Sequence, residues 1–414
     1  MSNNIVSSSM ITAETLRVIH NNSAFLGNIN TQFDGSFAKT GGKVGQTVNA
    51  RVPVQFTVRE GATANIQDVN ETTVPITIQP ETGIDWAFSD SDLTLGIDKF
   101  SERYLTPAGK RLASALDMKI AALYKSVANF SGTVGTSPAT AASALQAAAI
   151  LDNNGAPRDG LRTFALNPLA NASLVGGLAG LMNDQKTLGK QYKEGLMATS
   201  LGMDFQMSQN LPTHTVGGLG GTPLVDGANQ GTINVGTTDN PYAATTSLLT
   251  KGWTAAVANR LKAGDVITLA GVYAVNPETK QNTGVLKTFA VTADVSSTAG
   301  GAGTLVLSPA IIAGGAYQNV TALPADGAAV TVLTGGAGVS SPQNILFHKD
   351  AFTLVSVDME TINGMDMFSQ ETVDDVSLRF VRGYDIVNNR RICRFDMLAG
   401  YALIRPEFAC RVTS

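Results

Sequence analysis

Alternation of apolar and polar positions is the strongest local signal in this chain. In TVNARVPVQFTVRE, residues Val48, Ala50, Val52, Val54, Phe56 and Val58 alternate with Thr47, Asn49, Arg51, Pro53, Gln55 and Thr57. That period predicts a strand with one buried face. A return strand follows in TVPITIQPE, with Val74, Ile76 and Ile78 on one side. Pro53, Pro75 and Pro80 cannot donate to a ladder, so they confine the pair to a sheet edge or a narrow ribbon. Twelve residues of strand reach about 40 Å, and a free two-stranded ribbon of that length is marginal in water. Its apolar face, Val52, Val54, Phe56, Val58, Val74, Ile76 and Ile78, needs a partner, and a second subunit is the expected one.

Helical spacing appears on either side of this ribbon. ITAETLRVIHNNSAF predicts a short helix capped by Thr12, with Leu16, Ile19 and Phe25 on its apolar side. It is too short to fold alone and reads as a docking arm. Asp98 to Phe130 predicts a long helix that opens at Thr106-Pro107, a cap followed by proline in the first turn. Leu112, Leu116, Ile120 and Leu123 form its apolar stripe, with Lys110, Arg111, Asp117, Lys119 and Lys125 on other faces. Ala142 to Leu178 then reads helix, turn, strand, helix, and MNDQKTLGKQYKEGLM adds a further helix candidate.

The pattern changes near Val216. From there to about Ser341 the helical period vanishes, and short strands such as DVITLAGVYAV, VLKTFAVTADV and GTLVLSPAII alternate with Gly, Asn, Asp and Pro clusters. This predicts a small closed barrel or sandwich. In DVITLAGVYAV both parities are largely apolar, so the strand is expected to be buried on both faces, with Gly271 leaving room for a bulge. Glycine-rich stretches, VGGLGGTP and TGGAGVSSP, bracket the region as flexible joints. Mixed patterning resumes with NILFHKDAFTLVSVDME, so one domain interrupts another.

Composition adds exclusions. Of 414 residues 43% are hydrophobic and only 15% charged, a surface suited to being covered by neighbours. A net charge of −4 argues against a dedicated nucleic-acid reader. The N-terminal MSNNIVSSSMITAETL lacks the pattern of a signal peptide, and ASLVGGLAGLM is too short to span a bilayer. Cys393 and Cys410 sit on apolar parities without C-x-x-C spacing and read as buried thiols of a soluble, cytoplasmic chain.

Chemistry is sparse. There is no H-E-x-x-H, P-loop or G-x-S-x-G, and His20, His214 and His348 are far apart in sequence without companion ligands. LDNNGAPRDG lacks the alternation of a calcium loop. Asp90, Asp92, Asp374 and Asp375 read as caps or turn residues. No catalytic, cofactor-binding or metal-ligating residue is assigned.

The order of parts carries a resemblance. The stretches ILDNNGAPRDGLRTFALNP, ILFHKDAFTLV and RICRFDMLAGYALIRPEFACRV, set behind a proline-edged hairpin and a long helix, resemble the major capsid proteins of tailed bacteriophages. That family has the Hong Kong 97-type α+β shell fold. The interrupting β region resembles the insertion domain of coat proteins from short-tailed phages of the Salmonella type. The resemblance implies an N-terminal arm (1–34), an extended hairpin lying over a neighbour (35–89) and a peripheral domain with a spine helix (90–140). It further implies an axial domain (141–215), an inserted β-barrel (216–342) and the remainder of both larger domains (343–414). A loop near Val235 to Trp253 would contact the next capsomer.

By the same resemblance the chain self-assembles into hexamers and pentamers of an icosahedral virion shell, built in the cytoplasm of the bacterial host. Its partners would be further copies of itself, a scaffolding protein, a portal and packaged double-stranded DNA held without sequence-specific contacts, with no membrane and no cofactor. Competing readings are a nanocompartment shell, another phage structural protein, or an α/β enzyme with an accessory β domain.

Overall fold

The computed structural model describes residues 8–31, 45–52, 55–56, 61–62, 66, 73–89, 104–138, 140–178, 199–231, 244–255, 259–362 and 364–413. The chain opens with α1 (Ser8–Asn22), β1 (Thr47–Arg51), β2 (Thr73–Thr77), β3 (Thr82–Ser89) and α2 (Thr106–Ala121). A 3-10 turn, Ala122–Ser126, leads to β4 (Phe130–Ser131), α3 (Ala141–Asn153), β5 (Arg162–Leu166), α4 (Pro168–Leu178), β6 (Asp204–Met207) and β7 (Thr213–Thr215). Next come β8 (Gly221–Val225), β9 (Thr246–Trp253), β10 (Val266–Val275), β11 (Asn282–Val291), β12 (Gly303–Ser308) and β13 (Val330–Val332). The chain closes with β14 (Ser340–His348), β15 (Phe352–Ser356), β16 (Met367–Val373), β17 (Val376–Asp385), β18 (Arg390–Met397), β19 (Ala399–Leu403) and β20 (Ala409–Thr413). The fold is α+β, as the sequence predicted.

Two compact units emerge: Met1–Ala50 with Pro75–Ile120 and Phe352–Ala402, and Arg51–Val74 with Ala121–Ala351 and Leu403–Ser414. In the first unit, β16, β17, β18 and β3 form an antiparallel sheet against which α1 packs. Leu16, Ile19 and Phe25 are buried as expected. Thr12 is not a cap: it lies inside α1 and is buried, because the helix starts at Ser8, ahead of the ITAETL pattern.

In α2 the expected stripe is present, with Leu112, Leu116 and Ile120 buried. Regular α-helix ends at Ala121, and Leu123 falls in the 3-10 turn that follows. Asp117 departs from its expected outward face. It is buried and accepts hydrogen bonds from the Ser23 hydroxyl and from Ala24 N at 3.1 Å, which fixes the turn that follows α1. Gly109 allows α1 to approach closely, since a Cβ there would lie 2.9 Å from Val18 Cγ1.

The second unit is built on a mixed sheet, β4-β20-β14-β5-β6. Its central strand β14 runs antiparallel to β20 and β5, while β4 and β6 flank as parallel neighbours. Every residue of β5 and β20 is buried, so Arg162 and Arg411 enter the interior along with their apolar neighbours. Arg162 is kept there by its surroundings: Nη2 donates to Asp152 Oδ1 at 2.7 Å and to Ala156 O at 2.6 Å, and Nε to Pro157 O at 2.9 Å. This explains LDNNGAPRDGLR as a loop wrapped around a guanidinium.

The second sheet of this unit runs β13-β10-β11-β12-β9-β8. A bridge between Leu224 and Ala329 joins its two edges, so the sheet closes on itself. Leu248, Ile267, Leu269, Phe289, Leu305 and Leu307 fill the interior. In β10 the register slips between Thr268 and Tyr273 around Gly271, at φ +81°, the bulge the sequence anticipated. Burial on both faces holds only for the first half of that strand; past the bulge Tyr273 turns outward and is 37% exposed.

Neither glycine-rich bracket is a slack joint among the described residues. A Cβ on Gly217 would collide with the Arg260 carbonyl, and one on Gly221 with the Gly252 carbonyl, so the glycines answer close backbone approach. The second bracket begins a strand: Ser340, Ser341 and Pro342 pair with Thr215, His214 and Thr213.

The Arg158 and Arg162 guanidinium groups hold the Asp152 carboxyl below the usual carboxylate range, Arg158 contributing most. A depressed carboxylate stabilises the fold above its unfolded pKa of about 3.9, and the effect is lost as pH falls through the folded value. Asp152→Asn is therefore expected to cost about 1–3 kcal/mol at pH 7. Its urea midpoint should converge on the wild-type value as the pH falls through the depressed folded pKa of Asp152.

Candidate functional site

The described parts of the hairpin face divide into two groups. Val52, Val74, Ile76 and Ile78 are buried within the chain, as are Val48 and Ala50. Ile78 bridges to Gly400, and β1 and β2 pair with each other. Phe56 stands out at 61% exposed, and Ile66 in the connecting segment at 91%. Val54 and Val58 lie outside the described residues. Regular strand pairing ends at Arg51, shorter than the alternation predicted, where Val52 is followed by proline and its missing N–H. Burial inside the chain thus accounts for much of a face that the sequence reading assigned to a neighbour, and Phe56 is the described residue that still needs cover.

The three histidines each meet a carboxylate. His20 Nε2 lies 3.5 Å from Asp374 Oδ2, His348 Nε2 lies 3.2 Å from Asp159 Oδ1, and His214 Nε2 lies 2.8 Å from Asp265 Oδ1. These pairings were invisible in sequence because the closest members are 51 residues apart. Asp374 sits in the β16–β17 turn with φ +49°, as its turn reading predicted. Asp90 and Asp92 lie outside the described residues.

The His214 pair forms the most developed polar cluster. Tyr124, from the 3-10 turn, places its hydroxyl 3.0 Å from His214 Nδ1. Asp265, in the turn before β10, also accepts from Thr334 Oγ1 at 3.1 Å, Gly217 N at 3.2 Å and Lys262 N at 2.7 Å. The tautomer that donates Nε2–H to Asp265 leaves Nδ1 to accept the tyrosine proton, so both ring nitrogens have partners. Arg411 on β20 reaches the same turn, donating from Nη1 to Gly264 O at 2.8 Å, with its guanidinium 5.6 Å from the Tyr124 ring centre.

Tyrosine, histidine and aspartate in series resemble a catalytic relay, but this series is sealed. His214, Asp265, Thr334 and Arg411 are all buried. The Tyr124 hydroxyl is pushed up from its ordinary pKa, first by burial and then by the Asp265 charge, with Arg411 opposing. A protonated phenol that no substrate can reach is a fastener, not a nucleophile. Arg411 itself is pulled down to about 10 by burial against the opposing pull of Tyr124, Asp265 and Cys410, so it stays charged at neutral pH.

The cysteines are equally closed to chemistry. Burial pushes Cys393 up to about 11 and Cys410 up to about 12, leaving both as protonated, unpaired thiols. Among the described residues no group of three or more His, Cys, Asp or Glu could hold a metal ion. None of the helices among them is long and apolar enough to cross a membrane.

The sequence model of the family described as P22 coat protein - gene protein 5 matches residues 43–411. The chain belongs to that family: it is a phage major capsid protein, a building block of the icosahedral shell of the virion and not an enzyme.

Solved structures similar to the chain include one of Mycobacterium phage Che8, 14% identical, with TM-score 0.47, covering 94% of this chain and 90% of that one. The asymmetric unit of the bacteriophage PhiM1 mature capsid is 12% identical, with TM-score 0.38, covering 95% and 87%. The CUS-3 coat protein I-domain is 26% identical, with TM-score 0.20, covering 28% of this chain and 96% of that one. No curated protein matches the chain.

A buried ion loses its compensation if one member of a cluster is deleted, at about 3–5 kcal/mol. Asp265→Ala is expected to lower the unfolding free energy by about that amount. Adding Arg411→Met should recover only part of the loss, because it removes the uncompensated cation but leaves the His214, Thr334, Gly217 and Lys262 donors without their acceptor. Urea titrations of the two variants check both statements.

Proposed function

We propose that the chain assembles as hexameric and pentameric capsomers around packaged double-stranded DNA, with residues 35–89 forming an extended loop that lies over a neighbouring copy. The exposed phenyl ring of Phe56 carries this reading. An aromatic side chain 61% exposed, in a chain whose described β1 and β2 apolar residues are buried, is an anchor waiting for a pocket. Cyclic closure of such contacts gives rings, and rings of six and five give a closed shell.

In this reading residues 216–342 form an inserted domain, and 90–140, 141–215 and 343–414 form the peripheral and axial parts. Closure of the β8–β13 sheet and the pairing of Thr215 with Ser340 support that division. A scaffolding protein would guide curvature, a portal would occupy one vertex, and assembly would proceed in the host cytoplasm. Net charge of −4 favours a shell that encloses DNA without reading it.

Phe56→Asp is expected to leave the subunit folded, with its unfolding free energy within about 0.5 kcal/mol of wild type, and to prevent shell formation. Ile76→Asp, at a fully buried site, is expected to destabilise the subunit itself. Circular dichroism, sedimentation velocity and negative-stain microscopy of both variants, expressed with the scaffolding protein, separate the two effects. Normal shells from Phe56→Asp would remove the hairpin from the assembly contacts.

A further inference from the structure

A cleft of ≈ 670 Å³, open to solvent, lies within the second unit beside the end of β11 and the segment between β19 and β20. Lys280, Lys287 and Arg405 line it, opposed by one lining carboxylate, Glu407. Elsewhere the chain is sparing with charge, with 29 basic against 33 acidic residues among 414. Three cations around one concavity are therefore a local reversal of the molecule's sign.

The carboxylate is committed to one of them. Glu407 Oε1 accepts from Arg405 Nε at 3.0 Å, and that guanidinium also lies 3.8 Å from the centre of the Phe408 ring. Lys280 Nζ donates to a neutral acceptor, Ala316 O, at 2.5 Å. Glu278 adds attraction for Lys280, but it is exposed and does not line the cleft. The Lys287 ammonium has no hydrogen-bond acceptor among the described residues, and only the field of Glu407 favours its charge.

Burial lowers the pKa of both lysines and raises that of Glu407. These directions are those of cations drawn out of water without a full counter-charge. Pro277, Pro309 and Pro406 stiffen the walls, so the concavity is held open by backbone whose φ is fixed.

We propose that this cleft binds a small oxyanion, a phosphate or carboxylate group held by Lys280, Lys287 and Arg405. A tetrahedral or planar oxyanion offers several acceptors at once, which suits two ammonium groups and a guanidinium converging from different elements. The group is carried either by a free anion or by an acidic side chain of a neighbouring copy in the shell.

The test is thermal unfolding of unassembled subunits in inorganic phosphate against sodium chloride of equal ionic strength. Phosphate at a few times its Kd is expected to raise the midpoint by about 2–4 °C beyond the chloride control. Lys287→Met, checked for folding by circular dichroism, should weaken phosphate binding tenfold or more. No rise beyond chloride, or an equal rise in wild type and Lys287→Met, would overturn the proposal. Repeating the phosphate titration on assembled shells by calorimetry identifies the source. Binding retained in shells supports a free anion, and binding lost on assembly supports an acidic side chain from the neighbour.

Discussion

A guanidinium with no access to water is the constraint on which the second unit turns. Arg411 is among the largest fully buried side chains, and it sits in a strand whose every other residue is also buried. Such a charge is tolerable only where dipoles and opposite charge converge on it. The structure offers it the Gly264 carbonyl, the face of the Tyr124 ring and the field of the Asp265 carboxylate, while Nε and Nη2 find no hydrogen-bond acceptor among the described residues. Asp265 is then fixed by donors from four directions, including the strand that precedes the closed sheet and the turn that follows it. The Asp265 carboxylate thereby ties β7, the turn before β10 and the segment after β13 together, and Arg411 joins them through Gly264.

The same logic recurs on a smaller scale. Arg162 gathers the loop carbonyls of Ala156 and Pro157 together with Asp152. Asp117 does the converse, receiving the donors where α1 ends. In a chain with few charges, those placed inside do the work of pinning loops and turns. Apolar side chains also remain outside, Phe56 and Ile66 near the hairpin and Leu169, Ile386 and Val387 elsewhere.

Local pattern made much of this fold legible. The periods around Leu16 and Leu112 marked buried faces correctly, because one element's amphipathicity is written in consecutive residues. Gly271 announced its bulge for the same reason. What sequence could not display were partners brought together across long separations: Tyr124 with His214, Asp265 with Thr334, Ser23 with Asp117. A signal did exist for the central node, since FACRV places arginine within an otherwise apolar strand, and such a residue asks for a counter-charge. The glycine-rich brackets misled because composition records freedom of the backbone and not the steric reason for it. At Gly217 and Gly221 that reason is a carbonyl in the way.

The segment after β7 leaves and returns through paired neighbours. Thr215 faces Ser340 across the β7–β14 ladder, and their hydroxyls lie 2.7 Å apart. Topologically, everything between them is the loop of a single hairpin, and lengthening such a loop costs only about 0.6 kcal/mol per doubling. The site is thus a natural docking port for grafted sequence, where a foreign domain or a plain turn closes the same ladder. The port carries one condition. Whatever replaces the native segment must supply an anion beside Arg411, or the arginine must be exchanged with it.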